Sequence, residues 1–293
     1  MNTILIALSY AFCWGVGTTL TKLALAEISA TTLLVIQLIS SVLFLAIACY
    51  IKMQKLPFSL AALKQGSAGI FEPALAYMVG IFGVKLTTAS NAVLIGSSEV
   101  ILTILMAAVF LGERLTRSKL LLAVISFLGV ALLVWNDEEG AIDSSLIGNI
   151  LVLLGTVFAV CYVLMSKKQI GGADPLQLTA SQQFVGLIVT VFCFGVLSTI
   201  NPSYEVNAID ISLPFWLLAI GSGIMQYAIA YLLYLTALQN VPASQAAFFI
   251  ALIPIFGVGS AVLLLGETPS LAQWIGGAFV IVSSYWANRL QPA

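Results

Sequence analysis

Histidine is absent from this chain, and charge of either sign is scarce: 11 Lys and Arg and 12 Asp and Glu in 293 residues. Without an imidazole there is no HExxH zinc site and no Ser-His or Cys-His pair, and no GxSxG stretch occurs. No catalytic residue, metal site or cofactor is therefore read from the sequence. Charged residues make up 8% of the chain and hydrophobic ones 61%, where a soluble domain carries roughly 25% charged residues. With a mean hydropathy of +1.10, this composition belongs in a bilayer. A net charge of -1 without any basic run leaves nothing for a nucleic acid or a polybasic anchor to use. Cys13, Cys49, Cys161 and Cys193 all fall in apolar runs, where a thiol packs as a small hydrophobe and is uninformative about redox compartment. The first apolar run starts at Thr3 without a basic leader and ends at Thr21-Lys22 without a small-x-small pattern, which predicts a retained helix and not a signal peptide.

What the chain does contain, it contains twice. Leu111-Gly112-Glu113-Arg114-Leu115-Thr116 returns 154 positions later as Leu265-Gly266-Glu267-Thr268-Pro269-Ser270. The same offset sets Ala89-Ser90-Asn91-Ala92 over Ala243-Ser244-Gln245-Ala246, Tyr77 over Tyr231, Glu72 over Gln226 and Gly69 over Gly223. Spacing shared over some fifty residues marks an internal repeat.

A bilayer core of about 30 Å takes about 20 helical residues per crossing. Ten runs qualify, near 3–22, 30–51, 66–85, 88–111, 117–135, 146–166, 175–199, 213–236, 243–265 and 270–288. Helix-start signals stand at Asp174-Pro175, at Ser212 before Pro214, at Val241-Pro242, and at Ser270 with Gln273 three residues on. The longest loops, near 52–65, 136–145 and 200–212, are too short for a soluble domain. With the N-terminus inside, Lys52, Lys55, Lys64, Arg114, Arg117, Lys119, Lys167, Lys168 and Arg289 fall in the cytoplasm, and only Lys22 and Lys85 outside. Both termini are then cytoplasmic. The outer loops hold Asp137, Glu138, Glu139, Asp143, Glu205 and Asp210. Five helices per copy is an odd number, so the second copy enters the membrane inverted, an arrangement typical of secondary transporters that rock about a site near the midplane.

Two carboxylates interrupt the apolar runs. Glu72 stands six residues into the third, roughly 9 Å deep, and Glu99 about ten residues into the fourth, roughly 15 Å deep at 1.5 Å per residue. A charge at mid-bilayer costs at least about 2.5 to 3.5 kcal/mol, so each is expected to face the bundle interior or a wet cavity, as a cation, ammonium or proton site. Every Lys and Arg lies at a helix end or in a loop, so a phosphorylated substrate would have to bind helix N-termini against two acids, and is disfavoured. Pro73 and Pro254 lie inside spans and free the carbonyls of Gly69 and Ile250. Trp14, Phe71, Tyr77, Phe158, Tyr162, Gln226, Tyr227, Tyr231 and Gln245 lie at interior depth, suited to a flat apolar group with a polar head. Asn91 and Gln245 are paired between the copies, where helix-to-helix hydrogen bonding is the rival role. Glu113 and Glu267 sit at helix junctions, placed for capping or for a salt bridge to Arg114 or Arg117.

Ten spans in two inverted fives, each half with a penultimate helix ending in Leu-Gly-Glu and a last helix following Thr or Ser, resemble the EamA-type members of the drug/metabolite transporter superfamily. The best local matches are Phe110 to Thr116, Ala243-Ser244, Ile253-Pro254-Ile255 and Leu265 to Ser270. The first half departs from the pattern, with Glu99-Val100 where the second has Ile253-Pro254. Phe71-Glu72-Pro73-Ala74-Leu75-Ala76 is similar to the third helix of aromatic amino acid exporters of that superfamily. The resemblance implies alternating access around a central cavity lined by both halves, and export of amino acids or other metabolites.

The expectation is thus an all-α membrane protein of ten transmembrane helices, with repeats at 1–138 and 139–293, in a bacterial inner membrane. It would export small zwitterionic or cationic metabolites, amino acids with apolar or aromatic side chains first. The substrate-binding residues expected are Trp14, Glu72, Tyr77, Glu99, Gln226, Tyr227, Tyr231 and Gln245. Its partners would be the substrate and membrane lipid, with proton coupling open and either a monomer or a homodimer. Rival readings are a passive channel or facilitator and a multidrug exporter of organic cations. An intramembrane enzyme or lipid-handling protein would need a nucleophile-base pair or a lateral opening.

Overall fold

The computed structural model of the chain describes residues 3–86, 95–96, 98–133, 146–201, 206, 211–265 and 269–289. The described residues form helices and no strands. They are α1 (Thr3–Ala24), α2 (Ala30–Met53), the short α3 (Leu60–Gln65), α4 (Ala76–Lys85), α5 (Glu99–Phe110), α6 (Arg117–Leu133), α7 (Leu146–Ile170), α8 (Pro175–Ile200), α9 (Leu213–Gly223), α10 (Ala230–Asn240), α11 (Ala243–Ile250), α12 (Ile253–Leu265) and α13 (Leu271–Arg289). Among the described residues, six helical stretches are long and apolar enough to cross a membrane: α1, α2, α7, α8, α9 running through α10, and α11 running through α12. Their outer faces are apolar. Ile51 is 70% exposed and Leu263 85%, a surface that would associate in water and matches hydrocarbon in a bilayer. Asn91, Glu267 and the loop acids at 137–139, 143, 205 and 210 lie outside the described residues.

The ends of these helices follow the sequence signals. Ser270 and Gln273 cap one another, the amide of Gln273 donating to Ser270 Oγ at 3.3 Å and that of Ser270 to Gln273 Oε1 at 2.8 Å. The Asp174 carboxylate accepts from the amides of Leu176 and Gln177 and from Lys52 Nζ at 2.6 Å. Partial burial pushes the Asp174 carboxyl up, but the Lys52 bond and charge and the two backbone bonds outweigh it and hold the group below the usual carboxylate range. Ser212 precedes its helix without a side-chain cap. The expected 52–65 loop contains α3, started by Ser59 Oγ accepting from the amide of Ala62 at 3.2 Å.

Three long segments are broken. Between α3 and α4 the chain narrows into a 3-10 turn at Gly66–Ile70 and widens into a π-type turn at Phe71–Leu75, with Glu72 in an extended conformation (φ -146°, ψ 129°). Between α9 and α10 a second π-type turn occupies Ile224–Ile229. Glu72 and Gln226, 154 positions apart, therefore sit in matching wide turns, where the regular backbone ladder is interrupted. The third break, Ala251-Leu252, separates α11 from α12 just ahead of Pro254.

The packing repeats as the sequence does. α4 packs on α7 as α1 packs on α9 and α10; α8 crosses the turn before α4 as α2 crosses the turn after α9; α2 meets α8 and α6 meets α13. Each of these contacts joins one half to the other. At the two crossings glycine permits backbone approach. A β-carbon on Gly69 would come within 2.0 Å of the Gln182 carbonyl oxygen, and one on Gly223 within 2.6 Å of Gln37 backbone atoms. Gly69→Ala is therefore expected to be overpacked against immovable backbone, costing about 1 to 3 kcal/mol. A melt in detergent checks this: Gly69→Ala should unfold several degrees below wild type, while Gly221→Ala, whose β-carbon meets open space, should not.

Nine of the eleven basic residues fall at one end of the bundle, where α2, α5, α7 and α13 finish and α6 starts; Lys22 and Lys85 fall at the other. These are called the basic end and the opposite end. At the opposite end the Glu27 carboxylate accepts from the amide of Ser212 at 3.2 Å.

Candidate functional site

A cavity of about 430 Å³ lies in the bundle interior, walled by residues of α1, α2, α7, α10, α11, α12, the two wide turns and the first residues of α4 and α5. Leu25 and Ala30 line it at the opposite end. The two acids, Glu72 and Glu99, both face it, close enough to interact electrostatically. Both also line a smaller hollow of about 210 Å³ between the α4, α5 and α7 walls, bordered by Gly80, Gly96 and Gly155. Neither hollow is lined by a Lys or Arg among the described residues.

The same wall carries aromatic rings. Tyr77 and Tyr227 lie 5.5 Å apart between ring centroids, Trp14 and Tyr234 5.6 Å. Behind them Tyr231, fully buried, holds the cluster together: its ring is 4.9 Å from Trp14, 5.6 Å from Tyr162 and stacked at 6.3 Å on Tyr227. Edge-to-face contacts of this kind are each worth about 0.5 to 1.5 kcal/mol beyond burial, so they fix the ring positions. The Tyr231 hydroxyl lies near Glu72 and Tyr77 but makes no hydrogen bond of regular geometry.

Of the residues singled out in the sequence, Trp14, Glu72, Tyr77, Glu99, Gln226 and Tyr227 line the cavity. Tyr231 stands one layer behind, because Trp14, Tyr162 and Tyr227 cover it; Tyr77, its counterpart in the first half, reaches the cavity itself. Gln245 is away from the cavity, near the basic end, its Nε2 donating to Asn288 of α13 at 2.7 Å, a helix-to-helix bond. The sequence reading passed over Thr18, Thr21 and Gln37, all of which line the cavity. A signal was present: Trp14, Thr18, Thr21 and Leu25 follow one another at spacings of four, three and four, the stripe of a single helix face.

Glu113 of the repeated signature neither touches the cavity nor pairs with its basic neighbours. It accepts from the amides of Ala243 at 2.6 Å and Ser244 at 3.1 Å and from the Ser244 hydroxyl, capping α11 from the other half. Gly112, at φ +69°, turns the chain so that it can do so. Beside it Lys167 Nζ donates to the carbonyls of Leu238 and Val241, each at 2.7 Å, and Lys119 Nζ to those of Arg114 at 3.2 Å and to Ser244 Oγ at 3.4 Å. Glu113 and Lys119 thereby join the two halves at the basic end, while Lys167 joins α7 to the end of α10 within the second half.

Comparison with known proteins places this geometry. The EamA-like transporter family model matches residues 1–135 and 146–289. A protein of Archaeoglobus fulgidus named "Uncharacterized transporter" is 27% identical over 290 residues, 98% of each chain. An "Uncharacterized transporter" of Haemophilus influenzae is 34% identical over 151 residues, 50% of this chain and 85% of that one. Mouse solute carrier family 35 member F5 is 34% identical over 97 residues, 32% of this chain and 18% of that protein. One crystal structure superposes with a TM-score of 0.81 over 99% of both chains at 16% identity, the same fold.

Proposed function

The chain belongs to the EamA-like transporter family of the drug/metabolite transporter superfamily, and from that premise we propose that it is a secondary exporter of small zwitterionic or cationic metabolites, amino acids with apolar or aromatic side chains first. The observation that carries the reading is a cavity holding two carboxyl groups, an aromatic wall and, among the described residues, no Lys or Arg. Its volume of about 430 Å³ suits a small metabolite, since such sites run from roughly 300 to 1,000 Å³. Glu72 and Glu99 receive the ammonium or exchange a proton. Trp14, Tyr77 and Tyr227 surround the apolar part, adding cation-π attraction. Tyr231 acts by holding those rings in place, and Gln245 by joining α11 to α13.

Transport proceeds by alternating access between two five-helix repeats, 1–138 and 139–293, inverted with respect to one another; ten crossings in all. The paired contacts and matching wide turns support this symmetry. Nine basic residues at one end make that end, with both termini, cytoplasmic in a bacterial inner membrane. The cavity then opens outward, with the Glu113 and Lys119 contacts closing the inner side. That closure favours a carrier over a passive channel, which needs a continuous pore. An organic-cation exporter would use the same acids and rings, and competition separates it. The protein works as a monomer or homodimer.

Purified protein in liposomes loaded with labelled amino acids tests the reading. Saturable flux inhibited by unlabelled amino acids supports it. Flux that rises linearly with concentration would indicate a channel, and flux of quaternary ammonium dyes with no response to amino acids would replace the substrate class.

A further inference from the structure

The cavity has a second polar pole, and it is uncharged. Gln226 occupies in the second half the place that Glu72 holds in the first, and it is clamped from α1 and α2. Gln37 Nε2 donates to Ser222 Oγ at 2.9 Å and Thr21 Oγ1 at 2.8 Å; Thr21 Oγ1 donates to Gln226 Oε1 at 3.1 Å; Gln226 Nε2 donates to Thr18 Oγ1 at 3.1 Å; Thr18 Oγ1 donates to the Trp14 carbonyl at 2.8 Å. Ser222 Oγ in turn donates to the Ala219 carbonyl at 3.1 Å. The network runs in one direction, and each of its three hydroxyl hydrogens is committed. Thr18, Thr21, Gln37 and Gln226 nevertheless all face the cavity.

Counting what remains defines the ligand group. A primary amide has two N–H donors and a carbonyl with two lone pairs, so Gln226 keeps one donor and one lone pair beyond these bonds. A ligand that covers them without replacing the bonds they make to cavity water leaves them unpaired, at a cost of about 1 to 3 kcal/mol. A bound molecule is therefore favoured there if it brings a group that both accepts and donates and carries no charge. A hydroxyl, phenol or carboxamide qualifies. A carboxylate, which only accepts, would face the free lone pair of Gln226 with no compensating cation, and an ammonium is better held by Glu72 and Glu99.

We propose that Gln226, Thr21, Thr18 and Gln37 form a specificity subsite for a neutral hydrogen-bonding tip of the substrate, distinct from the acids that take its ammonium. The transported class is then amines and amino acids whose side chain ends in a hydroxyl or carboxamide. The inference rests on the carrier reading above and refines its substrate class.

Matched solutes test it. Tyrosine and phenylalanine, and tyramine and phenethylamine, differ by one hydroxyl. Wild-type protein in liposomes should take up the hydroxylated member of each pair about tenfold better at low concentration. Gln226→Leu and Thr21→Val should each bring the ratio to near one by lowering flux of the hydroxylated member about tenfold more than that of its partner. A melt of each variant confirms folding, and Gln226→Asn tests whether partial recovery follows the amide. Equal uptake of both members by wild type, or loss of both alike in a folded Gln226→Leu, overturns the subsite while the carrier survives. Absence of saturable uptake of all four solutes overturns the carrier reading itself, and the subsite with it.

Discussion

Glu72→Gln and Glu99→Gln are each expected to lower transport of ammonium-bearing substrates by about 10- to 100-fold. The estimate comes from the bond at stake: a hydrogen bond to a charged group contributes about 1.5 to 3 kcal/mol, more reliably where neither water nor a rival cation takes over. The cavity supplies no rival, since no Lys or Arg lines it among the described residues. Glutamine keeps the shape and the accepting oxygen and removes only the charge, so the loss is electrostatic and not a packing defect. Because the two carboxyls share one hollow and sense one another, their effects should not add, and the double variant is expected to lie close to the worse single one. Flux into liposomes at substrate concentrations below saturation gives the number, and an unchanged melting temperature shows that the fold is intact. If both variants carried every accepted substrate at the wild-type rate, the acids would have no part in recognition or coupling.

These two acids were legible from the sequence because a carboxylate inside an apolar run is conspicuous by its desolvation cost. The 154-residue offset then led to Tyr77 and Gln226, and depth along the helices to Trp14 and Tyr227. The same offset misplaces Tyr231 in the wall: equivalent positions share a helix face, but which ring reaches the cavity depends on what packs in front, and Trp14 and Tyr162 cover Tyr231. Thr18, Thr21 and Gln37 went unread because threonine in an apolar helix commonly turns back on its own carbonyls, as Thr18 does to Trp14; only their joint contact with Gln226 makes a site. The wide turn at Ile224–Ile229 contains no proline, so nothing in its composition announced it, whereas Pro73 marked the matching turn in the first half. The Leu-Gly-Glu signature was legible as a junction, but its acid caps a helix of the other half, which no local rule reveals.

That cap leads to the second large effect. Glu113→Ala is expected to shift the equilibrium of the basic end from closed toward open by about 5- to 30-fold. The carboxylate accepts three hydrogen bonds at the start of α11, and such an N-cap, its interaction with the helix dipole included, is worth about 1 to 2 kcal/mol. The tie spans the two halves, so in a carrier that rocks it is made in one state and lost in the other, and its whole value enters the balance between them. Glu113→Gln, keeping one accepting oxygen, should fall between. The reporter must lie deeper than the cap, since the amides of Ala243 and Ser244 lose protection in any case. Ala247, one turn further in and 1% exposed, serves: in a chain whose four cysteines are replaced, Ala247→Cys should react with a membrane-impermeant maleimide added at the basic end about 5 to 30 times faster once Glu113 is alanine. Unaltered labelling in a protein with unaltered melting would make the contact an ordinary helix cap with no share in gating.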